Sequence, residues 1–114
     1  MLTIPERFDE IDWQVGQAMS AVEADTGASP VLYAVVKEFR IKSLKTLDAL
    51  KDADNQAVIE HLIEVEQAAD SAKYAAEADE GLSEETRKAI LDAHILTCML
   101  KGLASFSLAY SATD

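Results

Sequence analysis

The chain has 114 residues, with 21 acidic side chains against 10 basic ones and a formal net charge of −11. Such a surface repels phosphate backbones and anionic lipid headgroups, so nucleic-acid and membrane-surface binding are disfavoured, whereas a basic protein partner is not. A hydrophobic content of 49% argues against disorder, and the length predicts one domain, residues 1–114, whose core needs neither disulfide nor structural metal.

Cys98 is the sole cysteine, which excludes an internal disulfide and suits a reducing compartment. It is read as a small buried hydrophobe, with no histidine or cation expected beside it. The first ten residues carry acids where a signal peptide needs a basic start and an apolar run. A cytoplasmic location is the expectation.

Glycine and proline are scarce, at four and two, which predicts few loops and long regular elements. Pro5 and Pro30 stand where first helical turns begin. Gly27 and Gly81 stand where helices end, a position in which glycine takes positive φ at little cost.

The first helix is predicted over 5–25. Ile4, Phe8, Ile11, Val15, Ala18 and Val22 follow at spacings of 4, 3, 4, 3 and 4, an unbroken heptad seam. Ser29 caps a second helix, with Pro30 as its first residue. This helix runs to about Leu50 on Phe39, Leu44, Leu47 and Leu50, and its cations Lys37, Arg40, Lys42 and Lys45 face acids on neighbouring helices or water. Over 51–56, Asp52 or Asp54 caps a new helix; the competing reading is one continuous helix, which would force dimerisation.

The third helix, 55–79, repeats the spacing at Val58, Leu62, Val65, Ala69, Ala72 and Ala76. Its alanine-rich second half calls for bulk from an opposing helix, supplied by the large residues that open helix two. Ser83 caps the fourth helix, and Glu84 and Glu85 favour its positive end. Apart from the alanines, no repeat is evident.

Between 89 and 112 the only formal charges are Asp92 and Lys101. A helix apolar on nearly every side is buried on all sides, so this segment is read as the central or interface helix. Lys101, with Asp92 and His94 at the entrance, leaves too short an apolar run for the ~20 residues of a membrane span. Four helices with short connections predict an all-α, antiparallel up-and-down four-helix bundle. A fourth helix needing more neighbours than one small bundle supplies predicts a homodimer.

No catalytic residue, cofactor or metal is expected. A di-iron bundle uses Glu-x-x-His pairs, yet Val58 and Leu91 stand three residues before His61 and His94. In an up-and-down bundle those histidines would lie ~13 Å apart along the axis. Nucleophile elbows, phosphate loops and an Asp-Ser-Leu carrier triplet are all missing. His94 with Lys101-Gly102 is loosely similar to the His, Lys, Gly signature of histidine phosphotransfer domains. However, Lys101 falls two turns on instead of one, with Thr97 and Cys98 in the one-turn positions.

Trp13 lies opposite the Phe8–Ile11–Val15 seam, beside Gly16. It is either an interface anchor, a role in which tryptophan is enriched, or covered by another element of the same chain. Gly102, Ser105, Ala109 and Ala112 permit close helix–helix approach. The candidate interface is Trp13, Gly16, Gly102, Ser105, Phe106 and Ala109. The function expected is a non-enzymatic protein–protein interaction or regulatory module. The alternatives are a phosphorelay protein using His94 and an acidic mimic that occupies a nucleic-acid-binding protein.

Overall fold

Four helices make up the architecture: α1 (Ile4–Ala24), α2 (Pro30–Ala49), α3 (Asn55–Ala78) and α4 (Glu84–Ala112). The computed structural model describes residues 3–112, with side chains described through 106. Local chemistry fixes each start. Thr3 and Glu6 form a reciprocal capping box, each side chain accepting the other's backbone N–H at 3.2 Å. Ser29 accepts from the Leu32 N–H, Asp54 from that of Ala57 and Ser83 from that of Thr86, at 3.1, 2.8 and 3.3 Å. The chain leaves α2 after Leu50 and turns over 51–53, and Asp54 caps α3, so the continuous-helix alternative is overturned.

α1 and α3 each pack against both α2 and α4. Every helix therefore has two neighbours and none is central, which overturns the central placing of the fourth helix. α4 buries one stripe, Thr86, Ile90, Ala93, Thr97, Leu100 and Ala104, while Ile95, Met99, Leu103 and Phe106 are exposed. A helix on the perimeter can bury no more than the side it turns inward.

The second half of α2 differs from expectation in the same way. Its buried positions continue from Leu32, Val36 and Phe39 to Ser43, Thr46 and Leu50, and Leu44 lies exposed. The well-packed first half sets the helical phase. Polar residues are tolerated at these core positions because they find partners: the Ser43 hydroxyl donates to the Asp12 carboxylate and that of Thr97 to the Ala93 carbonyl, both at 2.8 Å.

A repeat that residue identity hides becomes plain in the burial pattern. Ala24-Asp25-Thr26-Gly27-Ala28-Ser29 returns as Ala78-Asp79-Glu80-Gly81-Leu82-Ser83, an offset of 78 − 24 = 54. The same offset carries Phe8 onto Leu62, Ile11 onto Val65, Val15 onto Ala69, Val36 onto Ile90, Phe39 onto Ala93 and Ser43 onto Thr97, all buried. The chain is two helical hairpins of one pattern, α1–α2 and α3–α4.

The two hairpin turns lock reciprocally. The Asp25 carboxylate accepts from the Gly27 N–H at 2.9 Å in its own turn and from the Ser83 N–H at 3.0 Å in the other. Asp79 accepts from the Gly81 N–H at 3.2 Å and from the Ser29 N–H at 2.9 Å. A Cβ on Gly27 would run into the Gly81 carbonyl oxygen, and one on Gly81 would lie 2.7 Å from the Gly27 oxygen. Among the described residues no glycine has positive φ, and α1 and α3 end on Asp25 and Asp79 in extended conformation. These glycines therefore serve close backbone approach and not a left-handed cap, which corrects the sequence expectation. Gly27→Ala is expected to cost about 1–3 kcal/mol by overpacking, measured by urea denaturation.

The same hydrogen bonds, from Ser83 first and Gly27 next, hold the Asp25 carboxyl down at about 2, from an ordinary 3.8. A carboxyl depressed in the folded state contributes stability that is fully present above its unfolded value and is lost as pH falls through the folded one. Between 3.8 and about 2, the thermal midpoint of the native chain should therefore fall more steeply than that of Asp25→Asn. Parallel slopes in that window would remove the lock from the account.

Candidate functional site

Exposed apolar side chains occur on all four helices, and along the outside of α4 they form a run. Ile95 is 52% exposed, Met99 66% and Leu103 48%. Ile95, Met99, Gly102 and Phe106 are spaced 4, 3 and 4, a second heptad stripe on the side of α4 away from the core seam. Beside it, α4 and α1 enclose a groove of about 500 Å³ lined by Arg7, Glu10, Ile11, Leu96, Met99 and Leu103. Along the same α1–α4 junction a shallower groove is lined by Trp13, Gln14, Lys88 and Asp92. Trp13 is 64% exposed, so the alternative that another element covers it is overturned. Trp13 and the outer stripe thus border the same junction.

The other candidate interface residues divide. Gly102 and Phe106 lie exposed on the stripe and Ser105 is half-buried. Ala109 falls within α4 but outside the residues whose side chains are described. Gly16 is used inside the chain: a Cβ there would stand 3.4 Å from the Arg40 guanidinium, which crosses from α2 to the Asp12 carboxylate at 2.8 Å.

The internal repeat supplies a control for the stripe. Subtracting 54 takes Ile95, Met99, Gly102 and Phe106 to Ile41, Lys45, Asp48 and Asp52. Leu96 maps onto Lys42, which pairs with Glu64. The first half therefore carries charge at three of these four positions, with Ile41 the apolar exception, and the second half carries charge at none of them. Packing within the chain does not require the stripe.

A polar cluster occupies the α3–α4 junction. His94 Nε2 lies 2.7 Å from an Asp70 carboxylate oxygen and 3.5 Å from Cys98 Sγ, and Lys101 lies 3.8 Å from Glu66. The expectation that no histidine adjoins Cys98 is corrected. Burial first, and the negative charge of Glu66 next, push the thiol up to about 11. In a nucleophile–base–acid relay, nucleophile and acid engage opposite nitrogens of the imidazole; here both meet Nε2, so this cluster lacks that arrangement. The His94 side chain is 14% exposed, and its Nε2 is held against Asp70 and so is not free to accept a phosphoryl group.

By length and composition, the helical stretch Glu84–Phe106 is long and apolar enough to cross a membrane, although Lys101 interrupts it. Its seam joins a core shared with the other three helices. Arg87, in its first turn, donates to the carbonyls of Ala76 and Asp79 at 3.1 and 2.8 Å. Comparison with protein-family models, with curated proteins and with solved structures finds no match to this chain.

Proposed function

We propose that this chain is a small, acidic, non-enzymatic protein-interaction or regulatory module of the cytoplasm, working as a homodimer of antiparallel up-and-down four-helix bundles. The observation that carries the reading is the apolar outer stripe of α4, set against the charged residues at the matching positions of the first hairpin. The bundle topology is supported by the hydrogen bonds that join turn 25–29 to turn 79–83 and by the short link at 50–54.

Several features favour a second copy as the occupant. Trp13, Ile95, Met99 and Leu103 have exposures of 64, 52, 66 and 48%. Against the ~200 Å² of a large apolar side chain, these leave on the order of 450 Å² of apolar surface. A stable interface buries ~800 Å² per partner, of which ~60% is apolar, so the patch is of the size one half of a dimer needs. Two bodies of net charge −11 repel each other unless they meet on a neutral face. The stripe is such a face, and at its edge Lys88 and Asp92 neutralise one another at 2.7 Å. Gly102 lets the opposing helix come close. The acidic surface that remains suits a basic protein partner.

Sedimentation equilibrium over a wide concentration range tests the reading. Twice the 12.4 kDa chain mass, with Trp13 emission shifting to the blue as the dimer forms, is the expected result. The chain mass at every concentration sinks the homodimer.

A further inference from the structure

We propose a binding site for a divalent transition ion of the zinc class between α3 and α4, with Asp70, His94 and Cys98 as ligands and Glu66 as the fourth donor. It is separate from the self-association reading, which concerns the outer stripe of α4.

The geometry comes from two helical pairs at i, i+4: Glu66 with Asp70 on α3, and His94 with Cys98 on α4. Residues four apart share a helix face, so two adjacent helices bring four donors together. The ligand atoms of Asp70, His94 and Cys98 all lie within 4.8 Å of one another, and Glu66, one turn before Asp70 on α3 and now 3.8 Å from Lys101, swings in to complete the shell. Donors at ~2.0–2.3 Å around a tetrahedral ion are ~3.4–3.7 Å apart. The Nε2–Sγ separation of 3.5 Å already fits. The Nε2–Oδ1 separation is 2.7 Å and has to widen, which the 47% exposed Asp70 side chain has room to do. One sulfur, one imidazole nitrogen and carboxylate oxygens suit Zn(II) or Co(II); Mg(II) and Ca(II) prefer oxygen throughout.

The other hairpin supplies an independent reason. Subtracting 54 takes Glu66, Asp70, His94 and Cys98 to Asp12, Gly16, Arg40 and Leu44. There a built-in cation bridges the helices: Arg40 sits against Gly16 and binds Asp12 at 2.8 Å. In the second hairpin that guanidinium is replaced by His94, the glycine by a second carboxylate, and the leucine by a thiol. A permanent cation has been exchanged for donors able to hold an external one. Lys101, 3.8 Å from Glu66, turns to solvent as the ion enters. The thiol proton passes to solvent, one per ion, so that sulfur ligates as thiolate, and no group changes oxidation state.

The test is a Co(II) titration of the full-length, tag-free chain under a phosphine reductant, followed by absorption. One Co(II) per chain and a thiolate-to-cobalt charge-transfer band in the near ultraviolet are expected, with the band bleached by an equivalent of Zn(II). Cys98→Ser should abolish the band, and both Cys98→Ser and His94→Gln should weaken binding at least tenfold. Glu23→Gln, an exposed acid elsewhere, should change neither. Circular dichroism reports whether each variant is folded, and should His94→Gln fail to fold, the near-isosteric Cys98→Ser decides. No charge-transfer band with excess Co(II), or equal affinity in the native chain and Cys98→Ser, overturns the site and leaves only diffuse attraction to an acidic surface.

Discussion

Phe39→Ala should remove about 3–5 kcal/mol of folding stability, a large share of the 5–15 kcal/mol typical of a domain. Phe39 is fully buried, and what surrounds it makes the loss hard to recover. The two hairpins share a pattern but not a volume. The first supplies Phe8, Ile11, Leu32, Val36 and Phe39, whereas the second mixes Leu62, Val65 and Ile90 with Ala69, Ala72, Ala76 and Ala93 in the same core. Alanine has no rotamer with which to reach into a cavity, so the space left by the ring stays open. Urea denaturation monitored by Trp13 fluorescence and by circular dichroism measures the change. A loss below about 1 kcal/mol would mean that the helices close over the gap.

Met99→Glu should weaken self-association at least a hundredfold while leaving helix content and unfolding midpoint in dilute solution unchanged. The side chain is 66% exposed in the single chain, so a carboxylate there keeps its hydration as long as the chain is alone. In a symmetric dimer the substitution appears twice, and each charge loses water without gaining a partner. Lys45→Glu, the matching position in α2, is the comparison and should leave the mass at twice that of the chain. Equal sedimentation of Met99→Glu and native protein would move the interface away from this face.

Much of the fold was legible in the sequence. The 4-3-4-3-4 seams of α1 and α3 and the caps at Ser29 and Ser83 are local patterns, and local physics decides them; at the third start, Asp52 and Asp54 were both open. What failed depended on partners distant in sequence. Leu44 looked like core and Leu47 packs only partly against it, because the phase set by Leu32, Val36 and Phe39 buries Ser43, whose hydroxyl is satisfied by Asp12 across the fold. Nothing near Ser43 announces that partner. The fourth helix was read as apolar on nearly every side, and four apolar side chains do lie exposed on it, but periodicity does not say how many sides have neighbours. In the candidate metal site, the i, i+4 spacing of His94 and Cys98 was readable, whereas Asp70 and Glu66 arrive only by tertiary packing. The repeat was readable too, in Ala-Asp-x-Gly-x-Ser, had it been sought at the turns instead of along the helices.

The crossed bonds of Asp25 and Asp79 carry one more implication. Each aspartate grips the opposite hairpin through a backbone N–H, so the clasp does not discriminate between a Ser83 of its own chain and a Ser83 of another molecule. The link at 50–54 is all that keeps the exchange intramolecular. Were it shortened enough to prevent folding back, the hairpins would trade partners by domain swapping, each closing on a stranger with every bond of the clasp preserved.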